Sequence, residues 1–207
     1  MSGATSQQPS SRRRRGRAAP AESRRPWRII AAMAAVGVLG AVLATLVLRP
    51  ARAPDVAVPE VIDGVVTLPS LAPEHLAAPV AYEQIPPAGG THSPAWQNCG
   101  MYSKPVIDEL AVHSLEHGAV WLAYRPDLAA DQVEQLRRLA RGRPYVLLAP
   151  HERITSPVVA TAWGLQLAVD DPADVRLAQF VAKYQQGPQT PEPGATCTGG
   201  NGVPDVR

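Results

Sequence analysis

The hydrophobic positions of this chain fall into one unbroken block followed by shorter periodic stretches. Residues 29–48 form the block: twenty in a row carry no charge, and Thr45 is their only hydroxyl. At ~1.5 Å of rise per residue a helix of that length spans the ~30 Å hydrocarbon core of a bilayer, so the block predicts one transmembrane helix. Residues 49–73 then contain Pro50, Pro54, Pro59, Pro69 and Pro73 and no aromatic side chain, a composition that predicts an extended stalk. From 74 to about 108 there is little periodicity. The turn-rich run Pro86-Pro87-Ala88-Gly89-Gly90-Thr91-His92 predicts irregular structure there.

Periodic signals follow. Residues 119–124 are β-prone, with Val120, Leu122 and Tyr124 on one face. Asp127 is placed to cap a helix whose Val133, Leu136, Leu139 and Ala140 share a stripe, with Glu134 four residues before Arg138 and Gly142 as the stop. Residues 145–149 are a continuous apolar run of strand length. Val159, Thr161, Trp163, Leu165, Leu167 and Val169 alternate with small or polar residues, which predicts one strand with those six side chains on a common face. Asp171-Pro172 opens a last helix with Leu177, Phe180, Val181 and Tyr184 inward, and Gly187-Pro188 closes it. The β-α-β-β-α order predicts an α+β domain over residues 74–200, with two helices on one face of a small sheet and a short tail at 201–207. A ferredoxin-like arrangement is compatible with this order, but the last strand it requires is not visible.

Charge fixes the orientation. The net charge of the chain is +2, yet residues 1–28 hold eight arginines and one acid, a net +7, leaving 2 − 7 = −5 for the rest. Blocks of like charge are usually solvated tails, and this one directly precedes the apolar block, so it reads as a topology signal and not as a nucleic-acid contact. The positive-inside bias puts 1–28 in the cytoplasm and the domain outside, with the lipid bilayer as the one partner implied. A cleavable signal peptide is the rival, since Ala51-Arg52-Ala53 has suitable spacing. The apolar run exceeds the 7–15 residues typical of such signals, and Pro54 would follow the cut, which favours a retained anchor. Two lysines among twenty basic residues, with abundant alanine and proline, fit the codon bias of a GC-rich genome such as an actinobacterial one.

The only two cysteines, Cys99 and Cys197, both fall outside the membrane on this topology, where a disulfide is the expected state. Five histidines are present: His75, His92, His113, His117 and His151. In His113-Ser114-Leu115-Glu116-His117-Gly118 a helix would stand His113 and His117 one turn apart on the same face, with Glu116 beside them and Gly118 ending the helix. His92, on its glycine-rich turn, is placed to add a third nitrogen. Such a donor set suits zinc, copper or iron, and His92, His113, His117 and Glu116 are therefore the candidate metal ligands, with zinc or copper the cofactors considered. The competing interpretation is that these groups hydrogen-bond buried backbone at the junction between the irregular half and the sheet. His75 and His151 read as surface or loop residues, and Trp96, Trp121, Trp163 and Tyr124 as core.

These motifs together resemble the DUF3105 family, a family without an assigned function. The resemblance covers about residues 80–200 and rests on Pro86-Pro87 with Gly90 and His92, on Cys99-Gly100 with Tyr102, on residues 112–120 around the histidine pair, on Ala162-Trp163-Gly164, and on Pro191-Glu192 with Cys197. Family members often carry a serine where this chain has Gly89. The resemblance implies a domain boundary and marks residues of interest, but no activity. His113-x-x-Glu116-His117 also matches the H-x-x-E-H pattern of inverzincin proteases, but those carry it inside a long helix, whereas a β-prone stretch follows Gly118 at once. No G-x-S-x-G elbow, P-loop, dinucleotide fingerprint or thioredoxin-type motif is present. The sequence thus supports an extracytoplasmic metal-binding module, a metal-free envelope interaction domain, or a metal-dependent hydrolase with Glu116 as general base. It names no protein partner.

Overall fold

The computed structural model describes residues 56–69 and 71–206. The basic tail, the apolar block and the first part of the stalk lie outside the described residues, and no helix among the described ones is long and apolar enough to cross a membrane. The domain is α+β, built on a six-stranded mixed sheet in the order β1-β6-β5-β3-β4-β2. Its strands are β1 (Val66–Thr67), β2 (Gly100–Met101), β3 (Val120–Tyr124), β4 (Val146–Pro150), β5 (Val158–Ala162) and β6 (Leu165–Val169), and its helices are α1 (Asp108–Glu116), α2 (Ala130–Ala140) and α3 (Val175–Tyr184). β3 and β4 are parallel neighbours joined through α2, while β3, β5, β6 and β1 pair antiparallel. Because β3 and β4 are adjacent, with no strand between them, the sheet is not ferredoxin-like.

Alternation along the strands sorts the core into two layers. Val120, Leu122 and Tyr124 of β3 point to the face covered by α2 and α3, where Leu136, Ala140, Leu177, Phe180 and Val181 meet them. Trp121 and Ala123 point to the other face, where Ala111, Val112 and Leu115 of α1 pack. Each fully buried valine, leucine or phenylalanine among them contributes about 1.5–3 kcal/mol. Both faces are thus covered: the two expected helices share one, and α1 with the irregular segment before it covers the other.

The expected single strand over 159–169 is instead a hairpin. Ala162 pairs with Leu165 across a turn in which Gly164 has φ +70°, and cross-strand partners point the same way. A two-residue turn therefore exchanges the parity of the pattern. Val159 and Trp163 pack against α1, whereas Leu165, Leu167 and Val169 pack against α2 and α3. Alternation in sequence continues through the turn, which is why it reads as one strand, but the six residues do not share a face.

Two local assignments also change. Asp127 is ion-paired with Arg125 at 2.7 Å, and α2 starts later, where the Ala129 N–H donates to the Gln132 side chain at 3.2 Å. Asp174, not the Asp171-Pro172 pair, caps α3, accepting from the Arg176 N–H at 2.9 Å. The described part of the proline-rich segment bends and turns between residues 60 and 64 and lies on the domain instead of standing off as a stalk: Ile62 is buried in the core, β1 adds an edge strand, and Lys183 donates to the Pro59 and Glu60 carbonyls.

Candidate metal centre

α1 ends in a Schellman motif. The Ala119 N–H reaches the Ser114 carbonyl at 2.9 Å and the Gly118 N–H reaches that of Leu115 at 2.9 Å, with Gly118 at φ +92°. A β-carbon at Gly118 would stand 2.9 Å from Gln186 Nε2 and 3.1 Å from the Gln186 backbone, so both the turn and the close approach of the chain after α3 require glycine. This stop leaves His113, Glu116 and His117 on the last turn, facing the irregular segment that carries His92.

The imidazoles are held in one consistent way. Nδ1 of His92 donates to the Gly90 carbonyl, that of His113 to Ser93 and that of His117 to Thr196, each at 2.7 Å. A carbonyl can only accept, so each of these Nδ1 atoms carries the proton. In the neutral rings Nε2 is then a bare lone pair, and all three point inward. The Nε2 atoms of His113 and His117 face each other at 3.0 Å, and Nε2 of His92 faces Glu116 Oε2 at 3.0 Å. Acceptor against acceptor is repulsive unless a proton or a metal ion lies between. Anchoring Nδ1–H on a backbone carbonyl is also how metal-ligating histidines are commonly oriented.

The setting strengthens this demand for positive charge. His92 is fully buried, and His113, Glu116 and His117 are each 5 % exposed or less. Burial favours the neutral ring and pushes the His113 pKa below its ordinary value, ahead of the opposing effect of its bond to Ser93. Glu116 places a buried carboxylate in the last turn of a helix, where the dipole is already negative. Trp163 stands edge-on to His92 at 5.8 Å, and Trp96 tilts over His113 and His117 at 5.8 and 5.1 Å, which limits water on those sides.

Of the four candidate ligands, His92, His113 and Glu116 come together with a fifth residue, His75, in one donor group, and His113 and His117 come together with Glu192 in another. Within each group the donor atoms lie within 4.8 Å of one another. Metal–nitrogen bonds of ~2.0–2.1 Å put tetrahedral donors ~3.3 Å apart, which the contacts of 3.0 to 4.0 Å match with small adjustments. His75, expected to be a surface or loop residue, is 43 % exposed but stacks on His113 at 4.9 Å and reaches Glu116 at 3.4 Å. Its backbone pairs with that of His92 in a parallel bridge, and this pairing brings it into the cluster. Sequence reasoning also missed Glu192; the only hint was its place in the Pro191-Glu192 motif. His151 is buried rather than exposed, and its Nε2 contacts Asp108 at 3.2 Å, away from the cluster. Trp121, Trp163 and Tyr124 are core as expected, with Trp163 also walling the site, whereas Trp96 is only partly buried and serves as a wall of the site outside the core clusters.

Cys99 and Cys197 are disulfide-bonded. The bridge holds the C-terminal arm beside the site. His117 bonds the residue before Cys197, and the Glu192 N–H donates to the Glu116 carbonyl at 3.1 Å.

Among known proteins, a family model described as "Protein of unknown function (DUF3105)" matches residues 75–199, more than half of the chain. The match begins at His75 and ends just past Cys197, so it encloses both donor groups and the disulfide. No curated protein and no solved structure matches the chain.

Proposed function

The chain belongs to the DUF3105 family, and from that premise we propose that it is a membrane-anchored, extracytoplasmic module that binds a divalent transition metal, zinc or copper, at the histidine cluster that contains His92, His113, His117 and Glu116. The single observation that carries the proposal is the inward convergence of three Nε2 lone pairs on one another and on a buried carboxylate, their Nδ1 protons being committed to backbone carbonyls. A purely structural role for the histidines requires a buried proton between each opposed pair of acceptors. A bound cation turns the same contacts into ligation, and it offsets the cost of burying Glu116 at a helix C-terminus.

Metal and protons compete for the same lone pairs. Affinity for zinc therefore falls with pH below ~6.5, the unperturbed histidine value, and because burial holds the His113 pKa lower, competition at that ring begins only further down; affinity is expected to be weaker at pH 5.5 than at pH 7.5. Calorimetric titration of the full-length, tag-free protein with zinc and copper reads this directly, and elemental analysis of the protein as purified reports the native ion. Binding that is absent, or equally strong at both pH values, contradicts the proposal.

The anchor rests on the twenty-residue apolar block and the eight arginines before it. A reporter fused near residue 5 is expected to behave as cytoplasmic and one fused after Arg207 as external. Mature protein starting near Pro54 in the medium would instead mean a cleaved signal.

A further inference from the structure

Two donor groups that share one histidine raise the question of how many ions the cluster holds. His75 and His92 both converge on Glu116 Oε2, at 3.4 and 3.0 Å. His117 contacts His113 at 3.0 Å and Glu192 Oε2 at 3.5 Å. His113 belongs to both groups, but its Nε2 is 3.0 Å from that of His117 and 4.0 Å from Glu116, and one lone pair serves one ion. Assigning His113 to its nearer neighbour leaves two sets of the same kind: His75, His92 and Glu116, and His113, His117 and Glu192. Each is two imidazoles and one carboxylate, a facial set that suits a divalent transition metal and keeps other positions open.

Resting on the metal-binding proposal above, we infer that the cluster is a binuclear centre, with one divalent ion held by His75, His92 and Glu116 and a second held by His113, His117 and Glu192. Several features favour two ions over one. Inside each set the spacing is that of one coordination sphere, while the six donors do not gather into one group. The two sets are built side by side, since Glu116 and Glu192 are joined through their backbones and His75 stacks on His113. Each set has one ligand at the protein surface, His75 at 43 % and Glu192 at 49 % exposure, so both ions have a path to solvent. Two carboxylates with neutral imidazoles leave two divalent ions a net charge of +2, which hydroxide or a small oxyanion on the open side would balance.

The test is ion stoichiometry in the full-length, tag-free protein. After equilibrium dialysis against zinc, elemental analysis is expected to give two ions per chain, and copper(II) loading is expected to give an electron paramagnetic resonance spectrum with the half-field transition of a coupled pair. Glu192→Gln, a change at a half-exposed side chain that leaves the core untouched, should reduce the count to one and abolish the half-field signal. His75→Ala should do the same from the other side. One ion per chain in the unaltered protein overturns the binuclear assignment and leaves the metal-binding proposal standing, whereas no ion at all overturns that proposal itself. Two ions retained in both variants also overturns the assignment.

Discussion

Zinc or copper affinity is expected to fall by on the order of 100-fold or more when His113→Ala and His117→Ala are combined. The two imidazoles face each other at 3.0 Å, and one of them belongs to both donor groups. Loss of outer hydrogen-bond partners alone typically costs 10–100-fold in metal affinity, so loss of two direct ligands sets a larger expectation. The double change also frees the carbonyls of Ser93 and Thr196, which adds a stability effect that must be separated from binding. Thermal unfolding of the metal-free proteins supplies that separation. Zinc added to the unaltered protein should raise its Tm by mass action and should raise that of the double variant by less, because His75, His92 and Glu116 remain to hold an ion. Equal affinity in the two proteins would mean that the histidines serve the fold alone.

Removing the disulfide through Cys99→Ser and Cys197→Ser is expected to destabilise the domain by about 2–5 kcal/mol. The two cysteines are 98 residues apart, so the bridge closes a long loop, and chain-entropy arguments give ~4.7 kcal/mol for a loop of ~100 residues. For a domain of this size each kcal/mol moves Tm by roughly 2–4 °C, which puts the variant well below the oxidised protein in a melting experiment. Not all of the arm depends on the bridge, because Asn98 also bonds Gly200 and Gly202 and the Cys99 N–H donates to the Cys197 carbonyl. The variant should therefore stay folded at low temperature. It should also bind metal more weakly, since Thr196 and Glu192 lie on the arm that the bridge restrains. A Tm unchanged to within about 2 °C would show that these hydrogen bonds hold the arm without the covalent link.

Several features of this protein are written locally and could be read without coordinates. The inward face of β3, the apolar stripe of α3, the helical turn that sets His113 and His117 side by side, and the glycine that ends it all follow from side-chain periodicity and backbone preference over a few residues. The cysteine pairing was accessible by arithmetic, because two cysteines allow only one intramolecular bond.

What local pattern could not decide is which distant segments meet. The 159–169 run keeps its alternation whether it is one strand or two, and only the pairing of Ala162 with Leu165 sends its two halves to opposite faces of the sheet. His75 lies 38 residues before His113 in a segment without periodicity, and the bridge between the His75 and His92 backbones brings it in. Glu192 stands 75 residues after His117, and its place is set by a backbone hydrogen bond to Glu116 and by the disulfide that ties down the arm. The sequence alone determined the helical half of the site, because the i, i+4 geometry is a property of the helix. Tertiary structure alone decided the rest, since hydrogen bonds between irregular segments have no period and depend on which carbonyl the folded chain presents to each imidazole.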